Sequence, residues 1–213
     1  MEIPPCRQSL ESLFRAGLDA ADPDRLVRDQ RGYLAARMRE WGTDRVRIVA
    51  AGKAAWRMGE AAEAVFGRAI DHGIGIVPRG TGVPARSEAM DWFEAGHPLP
   101  DAAGIRATEA AIALLESAGR GTMVLFLISG GASSLFVAPR AGTTLEEKRR
   151  RIEALLKGGA EIGAIHRVRS ALSRVKGGEA ARIARPAPVC GLILSDVPGD
   201  DPEVVGGGPS ALP

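Results

Sequence analysis

The chain has 213 residues, with 28 basic and 26 acidic side chains and a formal net charge of +2 at pH 7. That length is enough for one large domain or two small ones with a buried core. A nearly balanced charge gives no electrostatic reason to bind nucleic acid or an anionic membrane, so we expect neither partner. The apolar run from Met123 to Ile128 is far shorter than the roughly 20 residues that a membrane-spanning helix needs.

The segment from Met1 to Pro5 lacks the basic stretch and apolar run of an export signal, so we expect a cytoplasmic protein. Cys6 and Cys190 are the only cysteines, too few for a disulfide scaffold or a cysteine-based metal cluster. Glycine is in excess, at 27 of 213 residues, about 13% against a usual share of about 7%. These glycines collect at the ends of apolar segments, where a backbone can approach a ligand closely.

Hydrophobic periodicity predicts helices alternating with strands. In chain order the predicted elements are helices Ser9 to Ala20 and Asp24 to Trp41, strand Arg45 to Ala51, helix Ala55 to Phe66, strands Gly73 to Val77 and Met90 to Glu94, a helix from the N-cap Asp101 towards Gly119, strand Met123 to Ile128, helices from Thr144 to Gly158 and from Ile162 to Arg174, and strand Val189 to Leu194. This order predicts a three-layer α/β/α, Rossmann-like domain with a mostly parallel sheet. We also expect the apolar face of the first helix (Leu10, Leu13, Phe14 and Leu18) to form a packing layer.

Three strands end in loops that could carry chemistry, because ligands bind at the carboxyl ends of parallel strands. In the first, Lys53 follows Gly52 at a helix start, which favours a phosphate or carboxylate; a solvated lysine is the alternative. Arg47 and Ala54 replace the glycine and the hydroxyl residue of a Walker loop. Ala50 likewise breaks the dinucleotide-binding glycine pattern.

The second loop runs from Ser129 to Ser134, directly after the most apolar strand. Gly130 and Gly131 with the neighbouring hydroxyls, including Ser133, can form an anion-binding nest of backbone N–H groups. The loop lacks the G-x-S-x-G pattern of a nucleophilic serine. A tight turn selected for packing is the alternative interpretation.

The third loop carries Asp196, Asp200 and Asp201, whose carboxylates are suited to Mg²⁺; an acidic surface turn is the alternative. His97, between Gly96 and Pro98, is a candidate to bind substrate or to brace its own loop. The other two histidines have no partner at metal-ligand spacing, so we expect no zinc site.

Several motifs recur in one order along the whole chain. They are Ala51-Gly52-Lys53-Ala54, Met58-Gly59, Gly96-His97-Pro98-Leu99-Pro100-Asp101, Leu127 to Leu135, Val168-Arg169, Leu172-Ser173, Lys176-Gly177-Gly178, Leu194 to Asp200 and Gly208-Pro209. Together they resemble the glycerate 2-kinase family. The resemblance implies transfer of the γ-phosphoryl group of ATP to the 2-hydroxyl of D-glycerate, assisted by Mg²⁺.

The resemblance also implies roles for individual residues. By the family pattern, Lys53 would stabilise the transferring phosphate or orient glycerate. For Asp196 and Asp200 our own inference is metal binding or orientation of the hydroxyl, and Asp196 is also a catalytic candidate. His97 and Arg169 are expected to bind the substrate; the alternative for Arg169 is an ion pair with a structural carboxylate. The residues expected to bind the nucleotide are Gly52, Ser129, Gly130, Gly131, Ser133, Lys176, Gly177 and Gly178.

Two positions depart from the family pattern: His166 replaces asparagine and Gly207 replaces serine. Family members also have a smaller carboxy-terminal domain, so we expect residues 1–213 to be the amino-terminal α/β domain without it. The alternatives are a hydroxypyruvate reductase using NAD(P)H and a non-catalytic nucleotide- or anion-binding fragment. Against the reductase, Val77 and Pro78 stand where an acidic residue would bind the cofactor ribose. The sequence allows a homodimer without specifying one.

Overall fold

The computed structural model describes residues 5–84 and 86–211. Its helices are α1 (Pro5–Ala20), α2 (Pro23–Asp29), α3 (Arg31–Trp41), α4 (Ala55–Phe66), α5 (Ala102–Glu116), α6 (Ala132–Leu135), α7 (Leu145–Lys157), α8 (Ile162–Ala171) and α9 (Glu179–Ile183). Its strands are β1 (Arg45–Ala51), β2 (Ile70–Pro78), β3 (Met90–Ala95), β4 (Thr122–Ser129) and β5 (Val189–Leu194). Residues 1–4, which include most of the Met1 to Pro5 segment discussed above, lie outside this description, as do the side chains of Cys6 and His166.

The described strands form one parallel sheet in the order β3-β2-β1-β4-β5. The chain winds outward from β1 in one direction and then crosses over to β4, so the order reverses between these two central strands. They pair from Arg45↔Thr122 to Ala51↔Ile128 and therefore end level with each other. Ligands of open parallel sheets bind at such a reversal point, outside the carboxyl ends of the strands.

Both faces of the sheet are buried, which explains why β4 is apolar throughout. On one face, Ile48 and Leu125 belong to a core that includes Met58 of α4 and residues of α2 and α3. On the other face, Val49 and Phe126 pack in a core with α5, α6 and α9. The predicted three-layer α/β/α fold with a parallel sheet is thus confirmed.

The prediction that the apolar face of the first helix forms a packing layer is wrong. The four apolar side chains of α1 are between 57% and 70% exposed: Leu10, Leu13, Phe14 and Leu18. The sheet face that carries Ile48 and Leu125 is instead covered by α4, together with buried Val27 of α2 and Leu34 of α3. Amphipathic spacing identified the helix correctly but cannot specify what its apolar face contacts.

Other differences concern the limits of elements. The predicted helix from Asp24 to Trp41 is two helices that meet at Gln30, whose ψ of 1° interrupts the α conformation. The helix predicted to reach Arg174 ends at Ala171, and the short helices α6 and α9 were not predicted. Across residues 5–84 and 86–211, no helix combines the length and apolar character needed to cross a membrane.

Candidate functional site

The loops after β1 and β4 meet in a tight turn. Gly52 adopts a φ of +130°, and a Cβ built on it would lie 2.1 Å from the Oγ of Ser129. Such a φ disfavours every residue except glycine, and the nearby serine leaves no space for a side chain. Gly52 therefore allows the two strand ends to approach each other.

Hydrogen bonds join the two loops. The amide of Lys53 donates to the carbonyl of Gly130 at 2.9 Å. The amide of Ala54 donates to the Oγ of Ser129 at 3.1 Å, although Ser129 comes from the other strand and is 1% exposed. Ser129 therefore satisfies the amide of Ala54, the residue from which α4 begins. These amides are thus already paired within the protein.

Two charged side chains lie at this turn. Lys53 is exposed, and within residues 5–84 and 86–211 its ammonium makes no ion pair or hydrogen bond. Asp196 follows β5, and its carboxylate lies over the backbone of Gly130, where a Cβ would be 2.1 Å from Oδ2. We call Gly52, Lys53, Ser129, Gly130 and Asp196 the glycine corner. The structure brings these five predicted residues to one rim of the sheet.

A cavity of about 320 Å³ opens beside the glycine corner, on the far side of Gly131. Its walls come from the loop 97–100, α6, α7 and α8, together with Lys176. The Nδ1 of His97 lies 2.8 Å from the Oγ of Ser134, and the imidazole packs against Gly131. We call this the basic cavity, because Lys148, Arg149, Arg169 and Lys176 line it.

Lys176 lies at the edge of the basic cavity and is 2% exposed. Its ammonium donates to the carbonyl and hydroxyl oxygens of Ser133, both at 2.9 Å, and to the carbonyl of Gly206 at 3.1 Å. Those three acceptors satisfy the three N–H groups of the ammonium. Burial, and then the charges of Lys148 and Arg169, lower the pKa of Lys176 well below its ordinary value.

Lys148 is 4% exposed, but its Nζ has no hydrogen-bond partner among the described residues. Burial, with a smaller contribution from the charge of Arg169, lowers its pKa to about 8. The sequence interpretation missed this residue, although a signal was present. Lys148 falls in register with Leu145 and Ile152, on the apolar stripe of α7 where a core residue is expected.

Comparison with known proteins identifies the family. The model of the family described as "Domain of unknown function (DUF4147)" matches residues 9–213. This chain belongs to the DUF4147 family. The D-glycerate 2-kinase of Thermotoga maritima is 41% identical over 198 residues, covering 93% of this chain and 46% of that protein. An Agrobacterium vitis protein that carries the name hydroxypyruvate reductase is 41% identical over 204 residues, covering 96% of this chain and 44% of that one.

A crystal structure of glycerate kinase from Thermotoga maritima superimposes with a TM-score of 0.86 and 40% identity. The superposition covers 95% of this chain and 48% of that structure. The DUF4147 chain therefore spans about half the length of the relatives that it matches. The resemblance carried by the sequence motifs is confirmed at the level of family and fold.

The remaining predicted residues of this DUF4147 chain lie around the two sites. The amides of Gly177 and Gly178 donate to the carbonyls of Gly207 and Gly208, at 2.9 and 2.7 Å. These glycines hold a turn against Lys176, and their role in nucleotide binding stays a prediction. Arg169 and Ser133 line the basic cavity with His97.

Asp200 lies in the exposed loop after β5 with a φ of +51°. Within the described ranges, no group of three or more histidine, cysteine, aspartate or glutamate side chains could enclose a metal ion. Mg²⁺ is often held by one or two carboxylates and the phosphate oxygens of a substrate. Asp196 fits that mode of binding, whereas an all-protein metal cage does not fit these residues.

Proposed function

We propose that this chain is the amino-terminal domain of a kinase that transfers the γ-phosphoryl group of ATP to the 2-hydroxyl of D-glycerate. The observation that carries the proposal is the glycine corner at the reversal point of the sheet. There the carboxylate of Asp196 lies near the ammonium-bearing residue Lys53, which has no partner among the described residues. The names and identities of the relatives support the same activity. We place the enzyme in the cytoplasm, with ATP and glycerate as its partners.

Phosphoryl transfer requires positioning and positive charge near the phosphate oxygens, with little covalent chemistry by the protein. Lys53 provides an exposed cation that is not neutralised by another side chain of the described residues. Because the amides of Lys53 and Ala54 are already paired, phosphate binding at this corner relies on side chains rather than on those two N–H groups. In this respect the corner differs from a P-loop.

The carboxylates contribute through the cation. Asp196, and Asp200 four residues later, would hold Mg²⁺ in the proposed complex. When bound, ATP and Mg²⁺ supply the phosphoryl group and neutralise its developing charge.

The same paired amides argue against the reductase alternative. A dinucleotide fold binds the cofactor pyrophosphate at the amino terminus of the helix after β1. Here the two amides just before that helix, those of Lys53 and Ala54, already donate to Gly130 and Ser129 of the neighbouring loop. The reductase name that two of the relatives carry therefore does not outweigh this argument.

The test is ATP-dependent phosphorylation of D-glycerate by the chain, with the position of the phosphate read by ³¹P NMR. Lys53→Ala should lower turnover by about 100-fold or more, since one contact to transition-state charge supplies a few kcal/mol. Lys157→Ala, an exposed lysine of α7, is the control and should change nothing. ATP binding without turnover would favour the non-catalytic alternative, and NADH oxidation with hydroxypyruvate would favour the reductase.

A further inference from the structure

Lys148 lies on the inner face of α7, between Leu145 and Ile152, and its side chain lines the basic cavity. The residue is 4% exposed, and its Nζ has no partner within residues 5–84 and 86–211. A lysine on an exposed helix face would have reached water with its long stem. Lys148 instead lines the basic cavity with its ammonium buried.

The cavity contains no neutralising charge for Lys148 in the described chain. The one carboxylate in its lining, Glu153, is exposed and lies 4.0 Å from Arg149, which also pairs with Glu146 at 3.8 Å. Arg169 and Lys176 also line the cavity, and their positive charges act on one another and on Lys148. The interior therefore carries a surplus of positive charge.

Such an arrangement is unfavourable in the absence of a ligand. Burying a cation without a hydrogen-bond partner costs free energy, and nearby cations increase that cost. Lys176 shows how the fold satisfies a buried lysine when the role is structural, since three oxygens accept from its ammonium. No described group accepts a hydrogen bond from Lys148, so its burial lowers the stability of the fold.

We propose that the basic cavity binds a compact oxyanion, a carboxylate or a phosphate group, and that Lys148 is a ligand of that anion. The cavity of about 320 Å³ is at the small end of ligand pockets. It suits a molecule of a few heavy atoms better than a nucleotide. Apolar residues of the lining, such as Val137 and Ile152, would contact the remainder of the molecule.

The identity of the anion rests on the proposed function: there it is the carboxylate of glycerate, with the hydroxyls directed towards the adjacent glycine corner. The binding itself does not depend on turnover. Measuring it without ATP separates a failure of this proposal from a failure of the proposed kinase activity.

The experiment is calorimetric titration of the full chain with D-glycerate and, separately, with inorganic phosphate. Lys148→Met removes the charge and keeps most of the stem. It should weaken binding of the preferred anion by about tenfold or more, the contribution of one hydrogen bond from a charged donor. Lys157→Met, at an exposed position of the same helix, should bind as the parent does. Preference for D-glycerate or for phosphate identifies the source of the anion.

Proton linkage gives a second measurement that a structural role would not produce. With a pKa of about 8, Lys148 is charged below that pH and neutral above it. Affinity for D-glycerate should fall by about tenfold or more between about pH 7 and pH 9.5. Lys148→Arg, which stays charged, should remove most of this fall. The other ionisable groups facing the cavity (His97, Arg149, Glu153, Arg169 and Lys176) are the same in both proteins.

Measuring the free energy of unfolding of the variant shows whether a loss of binding results from misfolding. Lys148→Met should be at least as stable as the parent in urea, because it removes an unpaired buried charge. A parent chain that binds neither anion, or a Lys148→Met variant that binds as tightly as the parent, would overturn the proposal. Loss of binding together with loss of stability would overturn it too, since it would make Lys148 a structural residue.

Discussion

The glycine corner and the basic cavity lie side by side at the same end of the sheet, but their polar groups are in opposite states. In the corner, backbone and hydroxyl groups such as the amide of Ala54 and the Oγ of Ser129 are paired, and the charged side chain of Lys53 extends into solvent. In the cavity, the charged side chain of Lys148 is buried and unpaired among the described residues. The corner is thus a completed piece of the fold, whereas the cavity depends on a group from outside to neutralise its charge.

Gly52→Ala tests whether the corner is as rigid as its contacts indicate. The new Cβ would lie 2.1 Å from the buried Oγ of Ser129 and would require a φ of +130°. We expect a loss of about 3 kcal/mol or more in the free energy of unfolding in urea. Gly142→Ala is the control: it has a φ of +78° with no atom within 4 Å, so it should cost only about 1 kcal/mol. Equal losses would show that the contact with Ser129 is unimportant.

Lys176→Met tests the contrast between the two buried lysines. Removing the ammonium leaves the carbonyls of Ser133 and Gly206 without their donor, so the variant should lose about 2 kcal/mol of stability. Lys148→Met should be neutral or stabilising in the same urea titration. If the two substitutions changed stability in the same direction, the distinction between a structural and a ligand-binding lysine would be wrong.

The pH dependence of stability sharpens the same contrast. Burial, followed by the charge of Arg169, lowers the pKa of Lys148 from 10.5 to about 8. Between those values the unfolded chain binds more protons, so native stability rises with pH, and below about pH 8 the whole cost of burial is present. The free energy of unfolding of the parent, relative to Lys148→Met, should rise by up to about 3 kcal/mol from pH 8 to pH 10.5. A flat difference would contradict the burial of this ammonium.

Lys53→Met gives the smallest expected effect on stability. The side chain is exposed and has no partner among the described residues, so the free energy of unfolding should change by less than about 0.5 kcal/mol. The proposed function requires the same substitution to reduce turnover strongly. A large loss of stability would place Lys53 in the fold instead of at a site.

The sequence was most informative where a local pattern determines the structure. Four features depend on neighbouring residues alone, and the structure has each of them where it was expected: strands β1 and β4, the helix cap Asp101 and the turn at Gly52. The exposure of Phe14 could not be predicted in this way, because helical spacing does not name the partner of an apolar face. Lys148 was missed for a related reason. Burial of a charge depends on the tertiary surroundings, and the only sign of it in the sequence is a lysine at a position of α7 where the apolar spacing predicts a core residue.

The hydrogen bond from Ala54 to Ser129 has a consequence for how the chain acquires its structure. The acceptor lies 75 residues after the amide of Ala54 that it satisfies. This amide at the start of α4 therefore lacks its native partner until β4 has aligned beside β1, which requires a long loop to close. During synthesis, the ribosome will have released β1, α4, β2 and β3 before Ser129 emerges. The first half of this domain is thus expected to remain open to proteases and chaperones until its central partner strand arrives.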